Sequence, residues 1–281
     1  MKYLNLGCGS RFNQQWKNLD FKASPPHVIG HNLIQGIPFE SQYFDVVYHS
    51  HLLEHFKKQQ AKNFLQECYR VIIPQGTIRV VVPDLEKIVR CYLKKLEIVL
   101  NYNEFAPDYD WILIELFDQM MREKSGGEMG QLLISKNIPN QAFILERIGL
   151  EARRIMNAPK RKTDITLQNW RQLLRQVSQK LKTWGYGKEL LIRLLLDKQD
   201  YNALKIGRFR QSGEVHQWMY DRYSLQQLLK ECGFVEIKQC AAHESRIPNW
   251  TRFNLDTEPD GTIYKPDSLY MEATKPFNQN S

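Results

Sequence analysis

Short apolar runs alternate with longer amphipathic stretches over the first third of the chain. Met1 to Leu6 reads as a buried strand stopped by Gly7 and Gly9, Lys17-Asn18-Leu19-Asp20 as another, and Val28-Ile29 marks a third within Pro26 to Leu33. Phe44-Asp45-Val46-Val47-Tyr48-His49 predicts a further strand. Residues 59–73 place Phe64, Leu65, Cys68, Tyr69 and Ile72 at helical spacing. Pro74-Gln75-Gly76 then turns the chain into the β-branched run Thr77-Ile78-Arg79-Val80-Val81-Val82. Strands and helices in alternation predict βα units and a mostly parallel, doubly wound α/β sheet.

From Leu85 the pattern turns helical. Leu85, Ile88, Val89, Tyr92, Leu93 and Leu96 form one stripe, and Leu167, Trp170, Leu173, Leu174, Val177 and Leu181 another. Breaks are expected at Asn101–Asp110, Ser125-Gly126-Gly127, Ala158–Thr163 and Gly185-Tyr186-Gly187. Strand patterning returns only at Phe234. Residues 93–212 therefore read as a helical insertion, with 1–92 and 213–281 forming the main domain. Ser224 and Gln227 have the spacing of a capping box, and Gly233 stands where a C′ glycine ends a helix. Phe234–Ala241 and Ser268–Ala273 close the sheet as two strands joined by a long excursion.

The formal net charge of +8 sits in one place, because residues 151–210 hold 15 Lys/Arg against 5 Asp/Glu. The insertion, rather than the sheet domain, is thus expected to meet a negatively charged partner. No apolar run reaches the roughly 18–20 residues of a membrane span, and no signal-peptide pattern opens the chain, so a cytoplasmic location is expected. The five cysteines are scattered without C-x-x-C spacing, which argues against a disulfide framework and a zinc site; no metal is expected.

A strand that ends in Gly7-x-Gly9 lets the backbone approach a ligand closely, as in several nucleotide sites. Asp20 ends the next strand, where a carboxylate can accept hydrogen bonds from both ribose hydroxyls. Asn32 ends the following one, where it can pair with an adenine amino group, and the Leu33 backbone can reach the ring. With these residues, Leu4-Asn5-Leu6-Gly7-Cys8-Gly9-Ser10, Phe44–Tyr48, Leu52-Leu53-Glu54-His55 and Glu67-Cys68-Tyr69-Arg70-Val71-Ile72-Ile73-Pro74-Gln75-Gly76 resemble the ordered motifs of class I S-adenosylmethionine (SAM) methyltransferases. Within these, the likeness is to the broad small-molecule group related to ubiquinone-biosynthesis methyltransferases. The resemblance implies a seven-stranded Rossmann-like methyltransferase sheet of order 3-2-1-4-5-7-6 with an antiparallel seventh strand. Its large helical insertion would lie between strand 5 and the following helix. It also implies SAM as cofactor, held by Asn5, Gly7, Cys8, Gly9, Ser10, Asp20, Asn32, Leu33, Ser50 and His51. Asn5 stands where the family has an acid and Arg11 where it has a third glycine. Only eleven positions separate Gly9 from Asp20, so the usual helix there must give way to a loop around Phe12–Trp16.

In the family, the region after strand 5 often covers the active site, which makes the insertion a candidate substrate lid; a solvated basic face or a dimerisation element is the alternative. Methyl transfer is an in-line displacement, and a general base is needed only for a hydroxyl or a protonated amine. Asp84, His51 and His216 are the candidates; His55 more readily caps or packs, and Asp45 reads as structural. Gly126-Gly127-Glu128 and Glu214-Val215-His216-Gln217-Trp218-Met219-Tyr220-Asp221 resemble segments of bacterial methyltransferases associated with surface-glycan and lipid biosynthesis. The expected acceptor is an O or N atom of an anionic or glycosylated small molecule or a lipid-linked sugar. RNA is the alternative partner, suggested by the basic insertion with Trp170, Trp184 and Tyr186. A non-catalytic SAM-binding scaffold is another, suggested by Asn5 and Arg11. Leu190–Leu196 reads as a buried helix, with peripheral membrane docking as its alternative.

Overall fold

A computed structural model describes residues 1–158 and 184–277. The stripe Leu167–Leu181, nearly all of the Ala158–Thr163 break, and the side chains of Trp170, Trp184 and Tyr186 lie outside the described residues. Seven strands form one sheet in the order β3-β2-β1-β4-β5-β7-β6. They are β1 Tyr3–Leu6, β2 Lys17–Asp20, β3 Val28–Gly30, β4 Phe44–Ser50, β5 Ile72–Pro83, β6 Val235–Cys240 and β7 Ser268–Thr274. β7 runs antiparallel to both β5 and β6, while β1 to β5 are parallel neighbours. The fold is the expected seven-stranded α/β Rossmann-like methyltransferase sheet.

Alternation along the strands sorts the core into two faces. Val47 of β4 and Ile78 and Val80 of β5 pack against Phe64 and Leu65 of α1 (Lys58–Val71) and Leu225 and Leu229 of α9 (Arg222–Glu231). The opposite residues, Val46, Tyr48 and Val81, meet Trp16, Trp250 and Phe253, so an aromatic cluster from the first loop and the 241–267 excursion lines the second face. The Trp16 ring stands edge-on to Tyr48, Trp250 and Phe253, each such contact adding about 0.5–1.5 kcal/mol beyond area burial.

Some boundaries move. Pro74-Gln75-Gly76 is no separate turn: α1 ends at Val71 and β5 begins at Ile72, and the residues fall inside the strand beside a register shift against β4. Asp221, not Ser224, is the N-cap of α9; the two form a capping box one turn earlier than the sequence pattern suggested. Gly233, with φ of 92°, follows the helix as expected.

Helices α2 Leu85–Asn101, α3 Ala106–Met121, α4 Gly127–Leu133, α5 Gln141–Ile148, α6 Leu150–Met156, α7 Trp184–Leu195 and α8 Lys198–Arg210 separate β5 from α9. Residue 93 falls within α2, which leaves the sheet directly at Asp84. Of its stripe only Ile88 is fully buried, and Leu93 is half exposed. The expected break at Gly185–Gly187 falls inside α7. Leu190, Leu191, Leu194 and Leu195 of that helix are exposed, contrary to the buried-helix expectation. Trp111, Leu133, Ile144, Ile148 and Ala152 give α3 to α6 a small core of their own.

Candidate functional site

The first loop shows why two glycines stand where they do. At Gly7, φ is 64° and a Cβ would lie 2.8 Å from Leu52 Cδ1, so a side chain is excluded by strain and by packing. At Gly9, φ is 53° and a Cβ would meet nothing within 4 Å, so this backbone faces open space. The Gly9 N–H donates to Asp20 Oδ2 at 2.8 Å, which fixes the loop against the end of β2.

The departures at Asn5 and Arg11 have local causes. Asn5 donates to the Arg11 carbonyl and to Asn18 Oδ1, each at 3.2 Å, and Asn18 donates to the carbonyls of Asn13 and Trp16, each at 2.9 Å. Two buried amides thus hold the 7–16 loop in place of the missing helix, a task a carboxylate without N–H groups could not perform. Arg11 turns outward, donating to the carbonyls of Leu255 and Thr257 at 2.8 Å and pairing with Glu258 at 2.7 Å. Its guanidinium also lies 3.9 Å from the Tyr264 ring centroid. It ties the β6–β7 excursion to the first loop.

These contacts frame a cleft of about 200 Å³ lined by Asn5, Gly7, Cys8, Gly9, Ser10, Ser50 and His51, together with Arg11, Tyr264, Lys265 and Glu151. Asp20, Asn32 and Leu33 are not in its wall. Asp20 adjoins it through the Gly9 amide, Asn32 spends its side-chain oxygen on capping Ile34 N–H at 3.1 Å, and Leu33 is buried in the core.

A second, larger cavity of about 340 Å³ lies between this cleft and helices α3, α4 and α6. Its lining includes three imidazoles (His51, His55, His216), four carboxylates (Glu115, Glu151, Glu214, Asp267) and two cations (Arg122, Lys265). Both cations are paired, Arg122 with Asp118 at 2.7 Å and Lys265 with Glu151 at 2.7 Å. His51, Glu151 and Lys265 line both spaces and form their common wall. His51 adopts φ of 50° just past β4, with Nε2 2.8 Å from Ser268 Oγ and Nδ1 3.4 Å from Glu54 Oε1. Burial holds the imidazoles of His51 and His216 well below the usual histidine range and pushes the Glu54 carboxyl up to about 8 and Asp267 up to about 7.

Of the three candidate bases, the structure brings together His51 and His216. Asp84 is elsewhere: its carboxylate caps α2 by accepting from the Lys87 N–H at 3.2 Å, and it lines neither space. His55 packs edge to face on His216, with ring centroids 4.7 Å apart. Asp45 accepts from the Lys2 N–H at 2.6 Å, a structural role. Trp218 rests under Lys58 Nζ, which lies 3.6 Å from its ring centroid.

Glu151, Lys265, Asp267 and Arg122 carry no local sequence signal, since loops and the helices of the insertion bring them in from separate parts of the chain. The Gly126-Gly127-Glu128 turn had a signal whose purpose was hidden. Gly126 N–H donates to Glu214 Oε1 at 2.9 Å and Glu128 N–H to Asp118 Oδ1 at 2.7 Å, so the turn docks on the Glu214–His216 segment.

Residues 10–80, about a quarter of the chain, match the family model described as Methyltransferase domain. Among curated proteins none matches the sequence. Of the solved structures, a SAM-dependent methyltransferase from Archaeoglobus fulgidus aligns at 10% identity and TM-score 0.38 over 98% of this chain and 86% of that one. A complex of the Haloferax volcanii Trm112 methyltransferase activator with a methyltransferase aligns at 9% identity and TM-score 0.39 over 100% and 84%. One from Aquifex aeolicus, a SAM-dependent methyltransferase, aligns at 15% identity and TM-score 0.25 over 30% and 57%. The domain match and the strand order observed agree with the methyltransferase resemblance, for which SAM is the expected cofactor. The cleft fits that group: Gly9 offers bare backbone, and the Asp20 carboxylate stands at the end of β2 beside it.

Proposed function

We propose that this protein transfers a methyl group to an O or N atom of a small polar acceptor, a sugar or glycosylated molecule, held in the 340 Å³ cavity under the lid helices. The wall formed by His51, Glu151 and Lys265 carries the reading, because it places the cofactor cleft and a partly enclosed cavity side by side. Bound SAM supplies an electrophilic methyl group, and what remains for the protein is to hold a nucleophile in line and keep water out. His51 is placed to take the acceptor proton, with Ser268 fixing the ring orientation through Nε2.

The lining argues for a hydroxyl-rich acceptor over an anionic one. Both lining cations are already paired, so neither is left to receive an anion, and with Glu115 held by Arg147 the sugar hydroxyls find acceptors in Glu214 and Gln119.

Incubation with methyl-labelled SAM and a panel of free, nucleotide-linked and lipid-linked sugars tests this. Wild type is expected to label at least one, and His51→Ala to lower kcat by about 10²–10⁴-fold with little change in SAM affinity. Unchanged kcat in that variant removes His51 from the reaction, and labelling of RNA with no sugar labelled overturns the acceptor class.

A further inference from the structure

Glu54, His55 and His216 form a cluster whose polar atoms are left over. Glu54 is fully buried, and neither carboxylate oxygen has a hydrogen-bond partner among the described residues; Nδ1 of His55 and of His216 are in the same condition. An unpaired buried carboxylate costs several kcal/mol, so a protein that keeps one needs either a proton or a cation there. Nothing in local folding demands it, since the turn after β4 is already held through its backbone. The Glu54 carbonyl accepts from the N–H groups of Gln217 at 2.7 Å and Trp218 at 3.3 Å, and the His216 N–H donates to the Gln119 carbonyl at 3.0 Å. Those bonds bring residues 54–55 and 216 together and leave their side chains free to do something else.

The donor atoms, one from each side chain, lie within 4.8 Å of one another. Two imidazoles and a carboxylate are a donor set suited to first-row divalent metals. Bonds of about 2.1 Å at tetrahedral angles separate donors by about 3.4 Å, so side-chain rotations of about 1 Å close the set. The surroundings favour a cation as well, because the adjoining cavity holds Glu214 and Asp267 beyond the Glu151–Lys265 and Glu115–Arg147 pairs. We propose that Glu54, His55 and His216 bind a first-row divalent metal ion, with open coordination positions reached from the cavity that His55 and His216 line. An oxygen donor, hydroxyl or carboxylate, is the ligand such positions take. Cysteine spacing could not have found this site, because its ligands are nitrogen and oxygen atoms from segments far apart in sequence. It rests on the donor set rather than on methyl transfer, so either reading can fail without the other.

The test is metal content. The full chain is stripped with chelator, dialysed against Zn(II) or Co(II), and counted by plasma mass spectrometry, with Co(II) absorbance reporting coordination. Wild type is expected to retain one equivalent and to show ligand-field bands in the visible. Glu54→Gln and His216→Asn should each weaken retention about tenfold or more while leaving SAM binding and circular dichroism unchanged. Glu54→Gln replaces a buried charge by an amide of the same shape, so the fold is expected to survive it. Wild type that retains far less than one equivalent, or a well-folded Glu54→Gln that retains as much as wild type, overturns the site.

Discussion

His49 stands in the middle of β4 with no exposed surface, and neither ring nitrogen has a partner among the described residues. Its ring faces Phe64 at 5.2 Å, an apolar setting that pushes its pKa down to about 3. An unfolded histidine titrates near 6.5, so between about 6.5 and 3 the unfolded chain binds a proton that the folded one refuses. Stability must therefore fall as pH falls through that window. His49→Leu removes both this loss and the orphaned nitrogens, whose burial costs about 1–3 kcal/mol. Urea unfolding should show the variant at least as stable as wild type at pH 7, with its advantage growing by about 2 kcal/mol at pH 5. A constant difference between the two pH values would remove His49 from the acid response.

At the scale of elements, Arg79 joins β5 to the excursion between β6 and β7. It is fully buried, pairs with Asp256 at 2.8 Å and Glu272 at 2.7 Å, and donates to the carbonyls of Ala241, Ala242 and Glu244. Asp256 also accepts from Tyr48 OH at 2.6 Å, so β4, β5, β7 and the excursion share one network. Arg79→Met strands two buried carboxylates and should cost about 3–5 kcal/mol, seen as a lowered denaturant midpoint. Replacing Asp256 and Glu272 by apolar residues in the same chain should recover most of the loss; failure to recover would mean that the carbonyl bonds dominate. Arg79 also marks how far the sequence could be read. The β-branched run around it and the strand alternation carry the topology, because a residue's face follows from parity along a strand. The charge inside that run signals an ion pair but not its partners, which arrive from residues 256 and 272. Likewise Gly7, Gly9, Ser50 and His51 were legible because they sit at strand ends, where the sheet edge is fixed by register. Lys265 and Asp267 were not, since a loop without periodicity supplies them, and Asp84 looked catalytic because its position at the end of β5 is also that of a helix N-cap.

Across the whole molecule, the decisive contact is that of the insertion with the first loop. The start of α6 reaches over from the insertion: Leu150 N–H donates to the Tyr264 carbonyl at 3.3 Å, Glu151 pairs with Lys265 at 2.7 Å, and Arg154 donates to Ser10 Oγ at 3.1 Å. Gly149 permits this approach, because with φ of 68° its Cβ would fall 2.6 Å from Pro266 Cδ. One wall of the cleft is therefore supplied by Glu151 of the insertion, beside Ser10, to which Arg154 donates. Lid docking and SAM binding should consequently be coupled, each favouring the other by the same free energy. Glu151→Ala with Arg154→Ala removes two of the three tethers without touching the sheet, Gly9 or Asp20. Calorimetry should then show SAM affinity weakened about tenfold, or about 1.4 kcal/mol. Because a ligand stabilises only the state it binds, the SAM-induced rise in Tm should shrink in parallel. An unchanged Kd in the double variant would mean that the sheet edge holds the cofactor alone and that the lid serves only the acceptor.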